Sequence, residues 1–83
     1  MKILYFAWLR DRVGATDEDV DPPIEVTTVE ELIDWLAQKS SGHAEAFSDQ
    51  TIVRCAINQE YVKIHETFSR NDEIAFFPPV TGG

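Results

Sequence analysis

The chain is poor in most of the residues that build a catalytic or cofactor site. Cys55 is the only cysteine, so no internal disulfide can form. It lies in the apolar run Ile52-Val53-Arg54-Cys55-Ala56-Ile57 and reads as a small buried hydrophobe. The two histidines, His43 and His65, are far apart and lack acidic or thiol neighbours at metal-ligand spacing. Both read as surface or turn residues, and no metal is expected. Among the four glycines, Gly14 and Gly42 are isolated, which excludes a glycine-rich phosphate loop. No Ser–His–Asp grouping stands out. Lysine and arginine total 7 against 15 aspartates and glutamates, a net charge of −8. Nucleic-acid binding needs a basic footprint and is excluded. The acidity serves solubility or steers the chain toward a basic partner. No apolar run approaches the roughly 20 residues of a membrane helix. The apolar start breaks at Arg10-Asp11-Arg12 without a small-residue cleavage site, so a cytoplasmic location is expected.

What is present fits one small folded domain. Eighty-three residues with 43% hydrophobic and 27% charged content describe a globular chain. A chain of this size buries about 60–65% of its unfolded surface and leaves little room for an internal ligand cavity. Alternation over Lys2–Leu9 predicts a first strand, with Ile3, Tyr5, Ala7 and Leu9 on one side. Asp17–Pro23 reads as an acidic loop, and Ile24–Val26 as a short second strand forming a hairpin with the first.

The helix signal is the clearest. Thr27 and Thr28 are candidate N-caps, with Glu30 or Glu31 three positions later. Val29, Leu32, Ile33 and Leu36 make one apolar stripe, ended by Ser40-Ser41-Gly42. His43–Asp49 carries a short helical turn with Phe47 plugging the core. Strands follow at Ile52–Ile57, Tyr61–Lys63 and Glu73–Phe77. Asn71 suits a left-handed turn position. The order β–β–α–β–β–β predicts an α+β domain over residues 1–77, with the last strand parallel to the first. That is a β-grasp: a mixed sheet packed on one main helix.

The residues after Phe77 carry the functional argument. Pro78 and Pro79 cannot donate ladder hydrogen bonds, so the strand must stop at Phe77. Residues 78–83, Pro78-Pro79-Val80-Thr81-Gly82-Gly83, form an extended tail that reaches roughly 20 Å at about 3.3 Å per residue. Gly82 and Gly83 give it a tip without side chains, narrow enough for a tunnel. The expected reacting group is the terminal carboxylate of Gly83, activated as an acyl-adenylate and converted to a thiocarboxylate. Alternation also places Leu4, Phe6, Trp8, Ala75 and Phe77 on the outer sheet face, with Tyr61 joining them. An apolar patch on so small a protein marks an interaction surface.

These residues resemble a known family, the small, sulfur-carrying subunits of molybdopterin synthase (the MoaD family). The resemblance spans the chain. It is strongest at Asp72-Glu73-Ile74-Ala75-Phe76-Phe77-Pro78-Pro79-Val80-Thr81-Gly82-Gly83 and clear at Tyr5-Phe6-Ala7, Leu9-Arg10, Gly14, Val29-Glu30-Glu31-Leu32 and Ala56-Ile57-Asn58-Gln59-Glu60. The family usually has glycine at the position of Asn71. The resemblance implies a ubiquitin-like β-grasp fold without a permanently bound cofactor. It implies an activating enzyme that consumes ATP to adenylate Gly83, and a sulfur donor that thiocarboxylates it. It also implies a large synthase subunit that takes the tail into its active site, in a heterotetramer of two small and two large subunits. Sulfur then passes to cyclic pyranopterin monophosphate to build the molybdopterin dithiolene. Positions matching Phe6, Arg10, Tyr61 and Phe77 are implied partner contacts, with Pro78, Pro79, Val80 and Thr81 in the tail. A carrier for thiamine synthesis or tRNA thiolation, and a ubiquitin-like protein modifier, are the alternatives.

Overall fold

A computed structural model describes residues 1–79. The chain runs β1 (Lys2–Tyr5), α1 (Ala7–Val13), β2 (Asp17–Asp19), α2 (Val29–Leu36), α3 (Ser41–Ala46), β3 (Arg54–Ile57), β4 (Glu60–Val62) and β5 (Glu73–Phe77). A 3-10 turn at Gln50–Ile52 leads into β3. The five strands form one sheet in the order β2-β1-β5-β3-β4. Central β1 and β5 run parallel, with Ile3 opposite Ile74 and Tyr5 opposite Phe76. The other pairs are antiparallel. The expected pairing of first and last strands is present, and the fold is an α+β β-grasp.

The helices cover one face of the sheet. Ile3, Tyr5, Ile74, Phe76 and Cys55 pack there with Val29, Leu32, Ile33 and Leu36 of α2, Leu9 of α1, and Phe47. All eleven are at most 3% exposed. The α2 stripe is therefore the apolar face that its spacing predicts. Its start is a reciprocal capping box. Thr28 Oγ1 accepts the Glu31 N–H at 3.2 Å, and Glu31 Oε1 accepts the Thr28 N–H at 3.1 Å. The predicted short helix is α3, and it packs closely on α1. A Cβ at Gly42 would run into the Arg12 carbonyl oxygen, so only glycine allows the approach.

The first thirty residues fold differently from the alternation pattern. β1 ends at Tyr5, and the next residues turn into α1 instead of extending to Leu9. Tyr5 and Leu9 are both buried, and a spacing of four serves a helical turn that strand alternation cannot distinguish here. Ala7 makes the turn at φ 55°, a left-handed position that costs an L-residue roughly 1–2 kcal/mol. Gly14, at φ 87°, ends the helix and donates its N–H to the Arg10 carbonyl at 2.8 Å. Leu9-x-x-x-Val13-Gly14 was the readable helix-stop signal.

The partner of β1 is the acidic run itself. Asp17 lies opposite Leu4, and Asp19 opposite Lys2. Ile24–Val26 is a turn closed by the Val26 N–H on the Pro23 carbonyl, and Ile24 is 82% exposed. Carboxylates suit β2 because it is a sheet edge, where charge discourages pairing with another chain. Two smaller differences follow turn chemistry. Asn58 and Gln59, at φ 50° and 72°, make the two-residue β3–β4 hairpin turn, so β4 begins at Glu60. Asn71 is not left-handed. Its turn closes through Asp72 instead, whose carboxylate accepts the Ser69 N–H while its own N–H meets the Ser69 carbonyl.

Candidate functional site

The face of the sheet away from the helices carries the candidate surface. β5 stops at Phe77, as the prolines require. The ladder places Arg54 directly opposite Phe77 on one side. On the other side Phe6, one residue past the Tyr5–Phe76 pair, donates its N–H to the Phe76 carbonyl at 3.1 Å. Tyr61, opposite Ala56, leans over Phe77 with ring centroids 5.2 Å apart. Tyr61 is 79% exposed and Phe6 46%, whereas Phe77, Pro78 and Pro79 are half-buried. Between these side chains lies an open cleft of about 220 Å³ lined by Arg54, Cys55, Tyr61, Val62 and Phe77. Next to the Arg54–Phe77 pair in the ladder, Ala56 sits opposite Ala75.

Most of the expected contact residues therefore share one end of the sheet. Phe6, Tyr61, Phe77, Pro78 and Pro79 gather where β5 gives way to the tail. Arg10 is exposed on α1, beyond the sheet. Trp8 is not on the outer face. It belongs to α1, packs against the core and lies beneath the Arg12 guanidinium at 4.6 Å. The strand assignment for residues 6–9 had put it on the wrong surface. Val80, Thr81, Gly82 and Gly83 lie outside the described residues.

Cys55 is the thiol among the residues that line the cleft. Burial pushes the Cys55 thiol up to about 11. Its sulfur donates to the Val62 carbonyl at 3.3 Å. A thiol so protonated is a poor nucleophile.

A second cluster, on the helical side, was not anticipated. His43 is buried at 7% exposure, not on the surface. Its Nε2 lies 2.7 Å from Glu18 Oε2, and its Nδ1 lies 2.7 Å from Ser40 Oγ. Tyr5 donates its hydroxyl to the same Glu18 oxygen at 2.7 Å. A carboxylate only accepts, so His43 Nε2 carries a proton. Ser40 Oγ accepts the His43 backbone N–H, caps α3, and can donate to Nδ1. Burial pushes the Glu18 carboxyl up, but the hydrogen bonds from His43 and Tyr5 outweigh it, and the group sits below the usual glutamate range. Burial first, then Glu18, pushes the Tyr5 hydroxyl well above its ordinary value. The network pins β2 and α3 to the end of β1, just behind Phe6. The signal that could have found it was the inward register of Glu18 within an acidic run.

Comparison with known proteins agrees with this architecture. The ThiS family model matches residues 3–83. The chain belongs to the ThiS family. Among curated relatives, the molybdopterin synthase sulfur carrier subunit of Escherichia coli (strain K12) is 41% identical, covering 100% of this chain and 99% of its own length. The protein of the same name from Haemophilus influenzae is 35% identical, with the same coverage of 100% and 99%. Among solved structures, small archaeal modifier protein 1 of Haloferax volcanii is 26% identical with a TM-score of 0.74, covering 96% of this chain and 97% of its own. Among the described residues no helix is long and apolar enough to cross a membrane.

Proposed function

We propose that this chain is the sulfur-carrier subunit of a molybdopterin synthase, acting in molybdenum cofactor biosynthesis in the cytoplasm. The observation that carries the reading is the exposed aromatic end of the sheet at the point where the Pro78-Pro79 tail departs. The full-length likeness to sulfur carrier subunits supports it. In this account Gly83 is the reacting residue. Its carboxylate attacks the α-phosphate of ATP on an activating enzyme, releasing pyrophosphate and forming a glycyl adenylate. Hydrosulfide from the sulfur donor then attacks the acyl carbon, displaces AMP and leaves a thiocarboxylate. Gly82, Thr81 and Val80 let the tip enter the large subunit, which supplies the catalytic side chains. There the thiocarboxylate sulfur bonds to a carbon of cyclic pyranopterin monophosphate in place of an oxygen substituent, and water then cleaves the acyl–sulfur bond, leaving sulfur on the substrate and returning Gly83 as a carboxylate. Phe6, Tyr61 and Phe77 hold the large subunit, with Arg10 at the margin.

Intact-mass analysis tests the carrier chemistry. After incubation with activating enzyme, ATP and a sulfur source, one oxygen of the chain should be replaced by sulfur. Extending the chain beyond Gly83 should abolish the change without unfolding the domain. Sulfur incorporation into the extended chain would refute the assignment. A second reading, protein modification, draws on the likeness to small archaeal modifier protein 1. It requires isopeptide conjugates of this chain on lysines of other proteins.

A further inference from the structure

Arg54 is the cation of the outer sheet face that sits nearest the tail's departure point, and its geometry is unusual for a surface arginine. The ladder sets it opposite Phe77, the last strand residue before Pro78. Its Nη1 donates to two backbone carbonyls of its own approach, Thr51 O at 2.8 Å and Val53 O at 3.2 Å. The guanidinium is thereby tied to the backbone that leads into β3, at the edge of the cleft that Arg54 lines with Tyr61 and Phe77. Among the described residues Nε and Nη2 have no partner, and these two donors form one straight edge of the planar fork. Among the described residues no carboxylate lies within ion-pair distance of Arg54, although acids outnumber bases by two to one in the chain. The three ion pairs found involve Arg12, Lys39 and His43.

We propose that Arg54 is a specificity-determining residue of the docking surface, and that its Nε/Nη2 edge receives a carboxylate of the large synthase subunit beside the tail's entry point. The inference rests on the sulfur-carrier reading and goes beyond it by naming a contact and its chemistry. Three features favour a protein carboxylate as the occupant. The free fork edge matches a carboxylate in a bidentate pair. Tyr61 and Phe77 beside it would exclude water once covered, which strengthens such a pair. Arginine set among aromatics is also a frequent composition of interface hot spots. The pair would fix register. A chain of net charge −8 is drawn broadly to basic surfaces, and one inverted contact beside the tail selects among them.

The competing explanation is structural: Arg54 merely ties off the 3-10 turn. The two accounts separate in one experiment on the full chain and the large subunit. Affinity, its dependence on salt, and thermal midpoint are measured for wild type, Arg54→Gln, Arg54→Lys and Arg54→Glu. Arg54→Gln should weaken binding about 30-fold or more, because it strands a carboxylate in the interface. Arg54→Lys should retain only part of the affinity, since it keeps the charge but loses the fork. Arg54→Glu should be weakest, and changing the facing carboxylate of the large subunit to arginine should restore it. A lowered midpoint with unchanged affinity for Arg54→Gln would overturn the inference and leave the sulfur-carrier reading intact. Wild type that fails to bind the large subunit at all would overturn both.

Discussion

Removing the Glu18 carboxylate should destabilise this protein far more than its place in an acidic run implies. Glu18→Ala takes the acceptor from two groups, the Tyr5 hydroxyl and His43 Nε2, each at 2.7 Å from the same oxygen. Tyr5 is 1% exposed and His43 is 7% exposed, so neither readily finds water instead. A buried polar group left without its partner costs about 1–3 kcal/mol. The Glu18 side chain is itself 20% exposed, so its removal admits some solvent. The lower half of the summed range applies, about 2–4 kcal/mol. For a domain of this length that lowers the thermal midpoint by roughly 10–30 °C. Asp17→Ala and Asp19→Ala, on the exposed sides of the same strand, should each change stability by less than about 0.5 kcal/mol. Circular dichroism through thermal and urea unfolding gives all three values. The pH dependence supplies a second check. The folded Glu18 carboxyl is held below its ordinary value of 4.5, so the unfolded chain binds the extra proton. The stability it contributes is present above that value and is lost as pH falls through the lower folded one. Wild type should therefore lose stability on acidification below about pH 4.5, and Glu18→Ala should lose less over the same window. Equal effects at positions 17, 18 and 19, or an unchanged acid limb in Glu18→Ala, would refute the network as a stabilising unit.

Other expectations concern the cap, the surface and the thiol. Thr28→Ala breaks the capping box of α2 and should cost about 1 kcal/mol in urea unfolding, with no effect on partner binding. Phe77→Asp should abolish measurable affinity for the large subunit while moving the thermal midpoint little, because the ring lies on the half-open outer face; unchanged affinity would contradict the docking surface. The Cys55 thiol, pushed up to about 11 by burial, should resist alkylation at neutral pH in the native state and react on unfolding. Rapid native labelling would show that the cleft at Tyr61 opens further than the structure describes.

How legible the fold was depended on whether a local pattern had one physical reading. The α2 stripe carried its own cap, so spacing and capping agreed at its start; the helix ends at Leu36, and Ser40-Ser41-Gly42, read as its terminator, instead opens α3. The end of β5 was equally determined, since Pro78 and Pro79 cannot continue a ladder. Residues 2–9 carried two readings. Both faces of that segment are apolar, and Tyr5 to Leu9 serves a helical turn as well as strand alternation. Tertiary packing of Leu9 decided for the helix. The β2 strand was hidden because edge strands tolerate charge, so Asp17-Glu18-Asp19 looked like a loop. With β2 unseen, the partnership of Glu18 with His43 across 25 residues of sequence could not be read. The candidate site fared better. Phe6, Tyr61 and Phe77 came together as alternation required, while Trp8 went with the mistaken strand. The register of Arg54 opposite Phe77 and its backbone anchors were not legible, since a sequence pattern displays neither.

The most direct test of the account is a single-turnover reconstitution. The chain, carrying a thiocarboxylate on Gly83, is mixed with the large subunit and cyclic pyranopterin monophosphate, and molybdopterin is measured by its fluorescent oxidation product. The account predicts that molybdopterin forms in proportion to the thiocarboxylate supplied, with the carrier returned as carboxylate. Formation of molybdopterin with an unthiolated chain and no other sulfur source, or none with the fully thiocarboxylated chain bound to its partner, would contradict it.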